Sequence, residues 1–148
     1  MKKQWIALII GLLLLVPNLG LAKSSQWFDD LEQAKIEAKK DNKHIFISFS
    51  GSDWCHWCIK FNKEVLSSQE FLDYADKNLV LMLVDFPKRQ KQSKELKTRN
   101  DKLSREYGVR GFPSIAILNP AGKLIKMTGY RRGGAKAYIE HLNALISK

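Results

Sequence analysis

The stretch HIFISFSGSDWCHWC, His44 to Cys58, decides how the rest of the chain is read. Its first half, His44 to Ser50, is a run of β-branched and aromatic side chains, which reads as a buried strand. Gly51-Ser52-Asp53 is a loop, and Cys55 to Leu66 then has helical spacing, with Ile59, Phe61 and Val65 as the apolar positions. Two cysteines therefore stand at i and i+3 where a strand gives way to a helix. On the first helical turn they lie on one side of it and can reach disulfide geometry. Unpaired N–H groups and the positive end of the helix dipole favour a thiolate at the first of them. Cys55 is expected to be the exposed nucleophile and Cys58, one turn in, the more buried resolving thiol. His56, once protonated, adds a positive charge beside the Cys55 sulfur.

Two other uses of a dithiol compete with redox chemistry. A structural bridge across four residues stabilises by only about 2 kcal/mol, against about 4.7 kcal/mol for a hundred-residue loop, so a staple would more usefully join distant segments. Zinc takes four ligands, and beyond the cysteines only His44, His56 and His141 are available, none at a recognised ligand spacing. No metal-ligand set is assigned. A two-thiolate Cu(I) site, in a module that delivers a soft metal to another exported protein, is the alternative left standing.

Outward from this segment, the chain has 148 residues, 45% hydrophobic and 27% charged, enough for one domain and one core. With 9 Gly, 4 Pro and 2 Cys it is neither collagen-like, disordered nor a disulfide-stapled mini-protein. Lys2 and Lys3 precede an uncharged apolar run from Trp5 to Val16, Pro17 breaks it, and Gly20-Leu21-Ala22 offers small residues for cleavage. Residues 1–22 thus read as a secretory signal peptide, the apolar run being shorter than a bilayer span of ~20 residues, with an uncleaved membrane anchor as the alternative, and residues 23–148 as a single domain. Export to the periplasm or beyond would let paired cysteines exist as disulfides.

The domain reads as a helix from Asp29 to about Asn42, the strand His44 to Ser50, the dithiol helix, and a short helix through Tyr74. A strand Leu79 to Phe86, a basic helical stretch to about Tyr107, a hairpin of Ser114–Leu118 with Lys123–Thr128, and a closing helix after Gly134 follow. Trp27-Phe28 reads as a packing anchor for the first helix. The order is α/β, with parallel crossovers first and an antiparallel hairpin last.

Strand–Trp-Cys-x-x-Cys–helix, followed by Tyr107-Gly-Val-Arg-Gly-Phe-Pro-Ser114 before a strand, resembles the thioredoxin family. The Trp54 and Trp57 variant behind Gly51-Ser52-Asp53 is similar to its exported disulfide reductases of the Dsb type. The resemblance runs from about Trp27 to Ile146 and implies a thioredoxin-like fold, a central mixed sheet with helices on both faces. It implies a thiol–disulfide oxidoreductase that reduces or isomerises disulfides in exported proteins, with Cys55 and Cys58 as catalytic residues, tuned by Trp54, His56 and Trp57, and no cofactor beyond their own disulfide. It further implies that Pro113 is cis and turns the Phe112 backbone toward substrate, so that an extended peptide can add edge-on. Partners would be exported cysteine-containing proteins and a separate, membrane-bound electron donor.

Three departures stand out. The strand before the dithiol has no carboxylate, with Ser48 or Phe49 where cytosolic thioredoxins keep a buried Asp. Asp53 and Glu64 are the nearest acids, and neither takes that role from sequence. Trp57 stands where strong oxidases of the family have His. The segment before the Pro motif is also longer, and residues 88–106 hold eight basic residues against three acids. Without interleaved aromatic residues these read as a solvated helix face with no nucleic-acid role, attraction to an anionic membrane surface or to an acidic partner being the second reading. Tyr130-Arg-Arg-Gly-Gly134 resembles a bend closing the dithiol surface and is assigned no chemistry.

Overall fold

The computed structural model describes residues 26–147; the leader read over residues 1–22 lies outside them. Elements follow in the order β1 (Trp27–Phe28), α1 (Leu31–Asp41), β2 (His44–Ser50), α2 (His56–Phe61), a π-helical turn (Asn62–Leu66) and α3 (Gln69–Asn78). Then come β3 (Leu79–Asp85), α4 (Lys94–Glu106), β4 (Ser114–Leu118), β5 (Leu124–Gly129) and α5 (Gly134–Ile146). The five strands form one mixed sheet in the order β1-β3-β2-β4-β5. β2 pairs in parallel with β3 along all seven residues, and antiparallel with β4. It lies at the centre, with six of its residues buried.

The period-two alternation of strands sorts their side chains onto two faces. Phe46, Leu79, Leu81, Ile115 and Ile117 pack with Phe71 of α3, Tyr138 of α5 and Phe61 of α2. Ile45, Ile47, Phe49, Val80, Met82 and Ala116 pack on the other face with Ala34 and Ala38 of α1 and Leu103 of α4. Both faces being covered explains why β2 and β3 read as unbroken apolar runs. The expected α/β fold with helices on both faces is the one observed.

Several boundaries differ from expectation, and α3, read as ending at Tyr74, runs a further turn to Asn78. The helix read over Cys55 to Leu66 is two pieces, because the π turn inserts one residue into the helical repeat and brings both Val65 and Leu66 inward. Ile59 does not face the core: Cys58 and Phe61 define the buried stripe, and Ile59, about 100° round the helix from Cys58, is 48% exposed. The basic stretch is helical only from Lys94, where the Ser93 hydroxyl caps the Leu96 N–H. Trp27-Phe28 is an edge strand paired with Leu81 and Met82, besides packing on the core.

Candidate active site

The carboxyl ends of β2 and β3, the start of β4 and the end of β5 meet along one edge of the sheet, and the dithiol lies there. Chain reversal after β2 is tight: the Trp54 and Cys55 N–H groups both donate to the Gly51 carbonyl, at 3.2 and 2.8 Å. Cys55 is the N-cap of α2, its Sγ accepting the Cys58 N–H at 3.2 Å where a capping oxygen would ordinarily sit. Cys55 and Cys58 are joined as a disulfide with their Cα atoms 5.2 Å apart. The expected exposure of Cys55 is not met, since it is 7% exposed against 4% for Cys58. As the N-cap, Cys55 has its side chain over the first turn of α2, where its sulfur accepts the Cys58 N–H and is bonded to the Cys58 sulfur.

The loops around the dithiol are tied by carboxylates. Asp85, at the end of β3, accepts the Ser52 N–H at 2.9 Å and the Ser52 hydroxyl at 2.5 Å. Asp53 accepts the backbone N–H groups of Lys88, Arg89 and Gln90 at 2.9, 2.7 and 3.1 Å. The Lys88 N–H is the largest of the influences that hold its carboxyl below the ordinary range, with Arg89 and Gln90 adding to it against a modest desolvation. Glu64 is held low chiefly by the Tyr130 hydroxyl, which donates to it at 2.5 Å, and then by Lys60 at 3.1 Å. The same bond pushes the Tyr130 hydroxyl up. Asp53 and Glu64, unassigned from sequence, are thus loop ties and not buried bases. Ser48 and Phe49 are buried in β2, and among the described residues the buried polar side chains are Ser48, Ser50 and Asn100, without a carboxylate.

Aromatic rings frame the bridge. Trp54 donates its indole N–H to the Phe86 carbonyl at 2.7 Å, and its ring meets Phe112 edge-on at 6.0 Å with the Lys88 ammonium 3.9 Å above. Phe112 stacks on Phe86 at 5.1 Å. The ring of Trp57 leans on Tyr130 at 5.8 Å and meets His56 at 5.5 Å. The Phe112–Pro113 bond is cis. An open groove of about 410 Å³ is lined by Trp57, Phe112, Pro113, Gly129, Tyr130 and Arg132. A Cβ at Gly129 would come within 3.1 Å of the Pro113 carbonyl oxygen, so glycine allows this close approach of strands.

All seven residues expected at the site therefore share this edge. Lys88, Asp85 and Phe86 join them without having been assigned there, and Tyr130, expected only as part of a bend closing the dithiol surface, adds its ring to the groove wall. An acid ending an otherwise apolar strand, as Asp85 does, is the one signal that could have flagged its role. The histidines do not converge: His44 opens β2, at the far end from the dithiol, and His141 bonds Thr128 and Arg131. Among the described residues no three His, Cys, Asp or Glu side chains stand together where they could hold a metal ion.

Comparison with known proteins agrees with this geometry. Residues 31–145 match the family described as thioredoxin-like domain. The chain is 35% identical over 125 residues to the disulfide bond reductase DsbH of Chlamydia pneumoniae, covering 84% of this chain and 75% of that protein. A solved structure of a DsbH oxidoreductase superposes with a TM-score of 0.78, again at 35% identity, covering 84% of this chain and 85% of that one. The thioredoxin-related protein DsbJ of the same organism is 26% identical over 82% of this chain and 37% of its own length. Nothing in these relatives supports the soft-metal alternative.

Proposed function

The chain belongs to the thioredoxin-like family, and we propose that this thiol–disulfide oxidoreductase is exported and works in the reducing direction. The Cys58 N–H aimed at the Cys55 sulfur carries the exchange chemistry, because a donor placed there favours the attacking thiolate. The reducing direction is supported by the apolar Trp57 ring beside Cys58 and by the similarity to the disulfide bond reductase DsbH. Cys55 thiolate attacks a substrate disulfide, a mixed disulfide forms, and the displaced substrate sulfur takes a proton. Cys58, deprotonated, then attacks the Cys55 sulfur, and the second substrate sulfur leaves as a thiol. Two electrons and two protons pass to the substrate, and the Cys55–Cys58 disulfide remains. Phe112 and Pro113, on the wall of the open groove, are the residues we assign to holding an extended substrate segment. Trp54, His56 and Trp57 are assigned to tuning the dithiol.

The leader-like residues 1–22 support export, where cysteine-containing exported proteins would be the substrates and a separate electron donor would restore the dithiol. Among the described residues no helix is long and apolar enough to cross a membrane. The decisive measurement is the reduction potential of the Cys55–Cys58 couple by glutathione titration. A value near −270 mV is expected for a reductase, and one near −120 mV would overturn the direction. On the assignment of roles, Cys58→Ala should trap mixed disulfides with substrate while Cys55→Ala traps none; trapping by both would overturn it.

A further inference from the structure

We propose that the preferred substrates are polypeptides whose disulfide-bonded cysteine is flanked by aspartate or glutamate, drawn in by cations that stand on both sides of the dithiol. This rests on the disulfide exchange proposed above and adds the substrate class.

The rim of the site is electrostatically one-sided. Its carboxylates are already engaged within the chain: Asp53 by three backbone N–H groups, Asp85 by Ser52, and Glu64 by Tyr130 and Lys60. Its cations face outward. Arg132 is exposed and lines the groove beside Trp57, as well as a neighbouring open hollow of about 690 Å³ shared with Lys60 and Glu64. On the opposite flank Lys88 is exposed, and Asp53 fixes its backbone so that its ammonium stays over Trp54. Arg110 is exposed two residues before Phe112. Residues 23–148, with 23 Lys and Arg against 15 Asp and Glu, carry a formal charge of +8 and add a long-range field of the same sign. Apolar ring surface at the centre with exposed cations at either end matches a segment with an accessible disulfide between acidic residues. Such a field raises encounter rates at low salt and fades as salt screens it.

The test uses reduced protein and three peptides of equal length, each carrying one cysteine as a mixed disulfide with 2-mercaptoethanol and flanked by Glu, Gln or Lys. Bis(2-hydroxyethyl) disulfide is the uncharged reference. At about 20 mM salt the Glu peptide should react about tenfold faster than the Lys peptide, falling to about twofold near 300 mM. Arg132→Gln with Lys88→Gln should lower that ratio severalfold. Lys39→Gln with Lys40→Gln, which removes the same two charges from the exposed end of α1 near the start of β2, should leave the ratio unchanged. Equal rates for the three peptides beside normal turnover of the reference would overturn this inference alone. Failure on all four compounds would overturn the reductase reading beneath it. Equal rates together with sedimentation on phosphatidylglycerol vesicles would overturn it too, and would assign the cations to a membrane surface.

Discussion

The two tryptophans of the dithiol segment are equally prominent in the sequence and differently held in the fold. Trp54 is fixed from four directions: its N–H is bonded to the Phe86 carbonyl, Phe112 stands at its edge, Lys88 lies above, and its ring lies over Gly51. Trp57, among the described residues, is held by ring contacts with His56 and Tyr130 alone. Their exposures, 38% and 44%, barely differ. What separates them is the number of directional constraints, so Trp54 acts as a wall of the site and Trp57 as a surface able to adapt to a bound segment.

Stability measurements should break or sharpen this contrast. Trp54→Ala is expected to cost about 3 kcal/mol in urea unfolding, at the lower end for a large aromatic side chain because part of the ring is already solvated. Gly51→Ala should follow at about 2 kcal/mol, since the added Cβ would stand 2.5 Å from the Trp54 ring and the indole must leave its place. Trp57→Ala should cost less than about 1 kcal/mol while raising the KM for peptide disulfides. Equal costs for the two tryptophans would remove the distinction.

The sequence makes half of this contrast legible. The bounds of β2 and β4 are legible from their own residues, because short runs dominated by Ile, Phe and Leu next to Gly or Pro admit little else. The dithiol was legible for the same local reason. β1 was not, since two residues carry no period. The ties of the site were out of reach as well, because they join residues far apart: Ser52 with Asp85, Asp53 with Lys88, and Glu64 with Tyr130. A helix pattern around Cys55 indicates which way its backbone N–H groups point, and says nothing of the packing that leaves the side chain 7% exposed.

Acid titration separates the two flanks further. The Asp53 carboxyl is held below its ordinary 3.8, first by the Lys88 N–H. A depressed carboxylate contributes stability that is present above its unfolded value and lost as pH falls through the folded one. The stability difference between the protein and Asp53→Asn should therefore be constant from pH 7 to about 5 and shrink below about 3.8. Glu64→Gln should show the same sign from its ordinary 4.5 downward, since Tyr130 and Lys60 stabilise its charge. Only Asp53→Asn should also change Trp54 fluorescence at pH 7, because only Asp53 fixes the backbone that carries Lys88. A fluorescence change of equal size in both variants would show that the flanks are not independent.

A contrast in charge, and not in stability, lies in the redox couple. Trp57 precedes Cys58, and its ring is spread against His56 and Tyr130. It is a large, mostly apolar group with a single donor, so it offers little to a neighbouring thiolate. A histidine there could supply a positive charge near neutral pH and stabilise the reduced dithiol. Stabilising the reduced form makes the couple more oxidising, and for two electrons about 30 mV corresponds to about 1.4 kcal/mol. Trp57→His should raise the potential by about that amount, more at pH 6 than at pH 8, where the imidazole is neutral. Trp57→Phe, which keeps the apolar ring, should shift it far less. Equal shifts in both variants would mean that packing and not charge sets the potential on this flank, and Trp57 would then belong with Trp54 as a wall of the site.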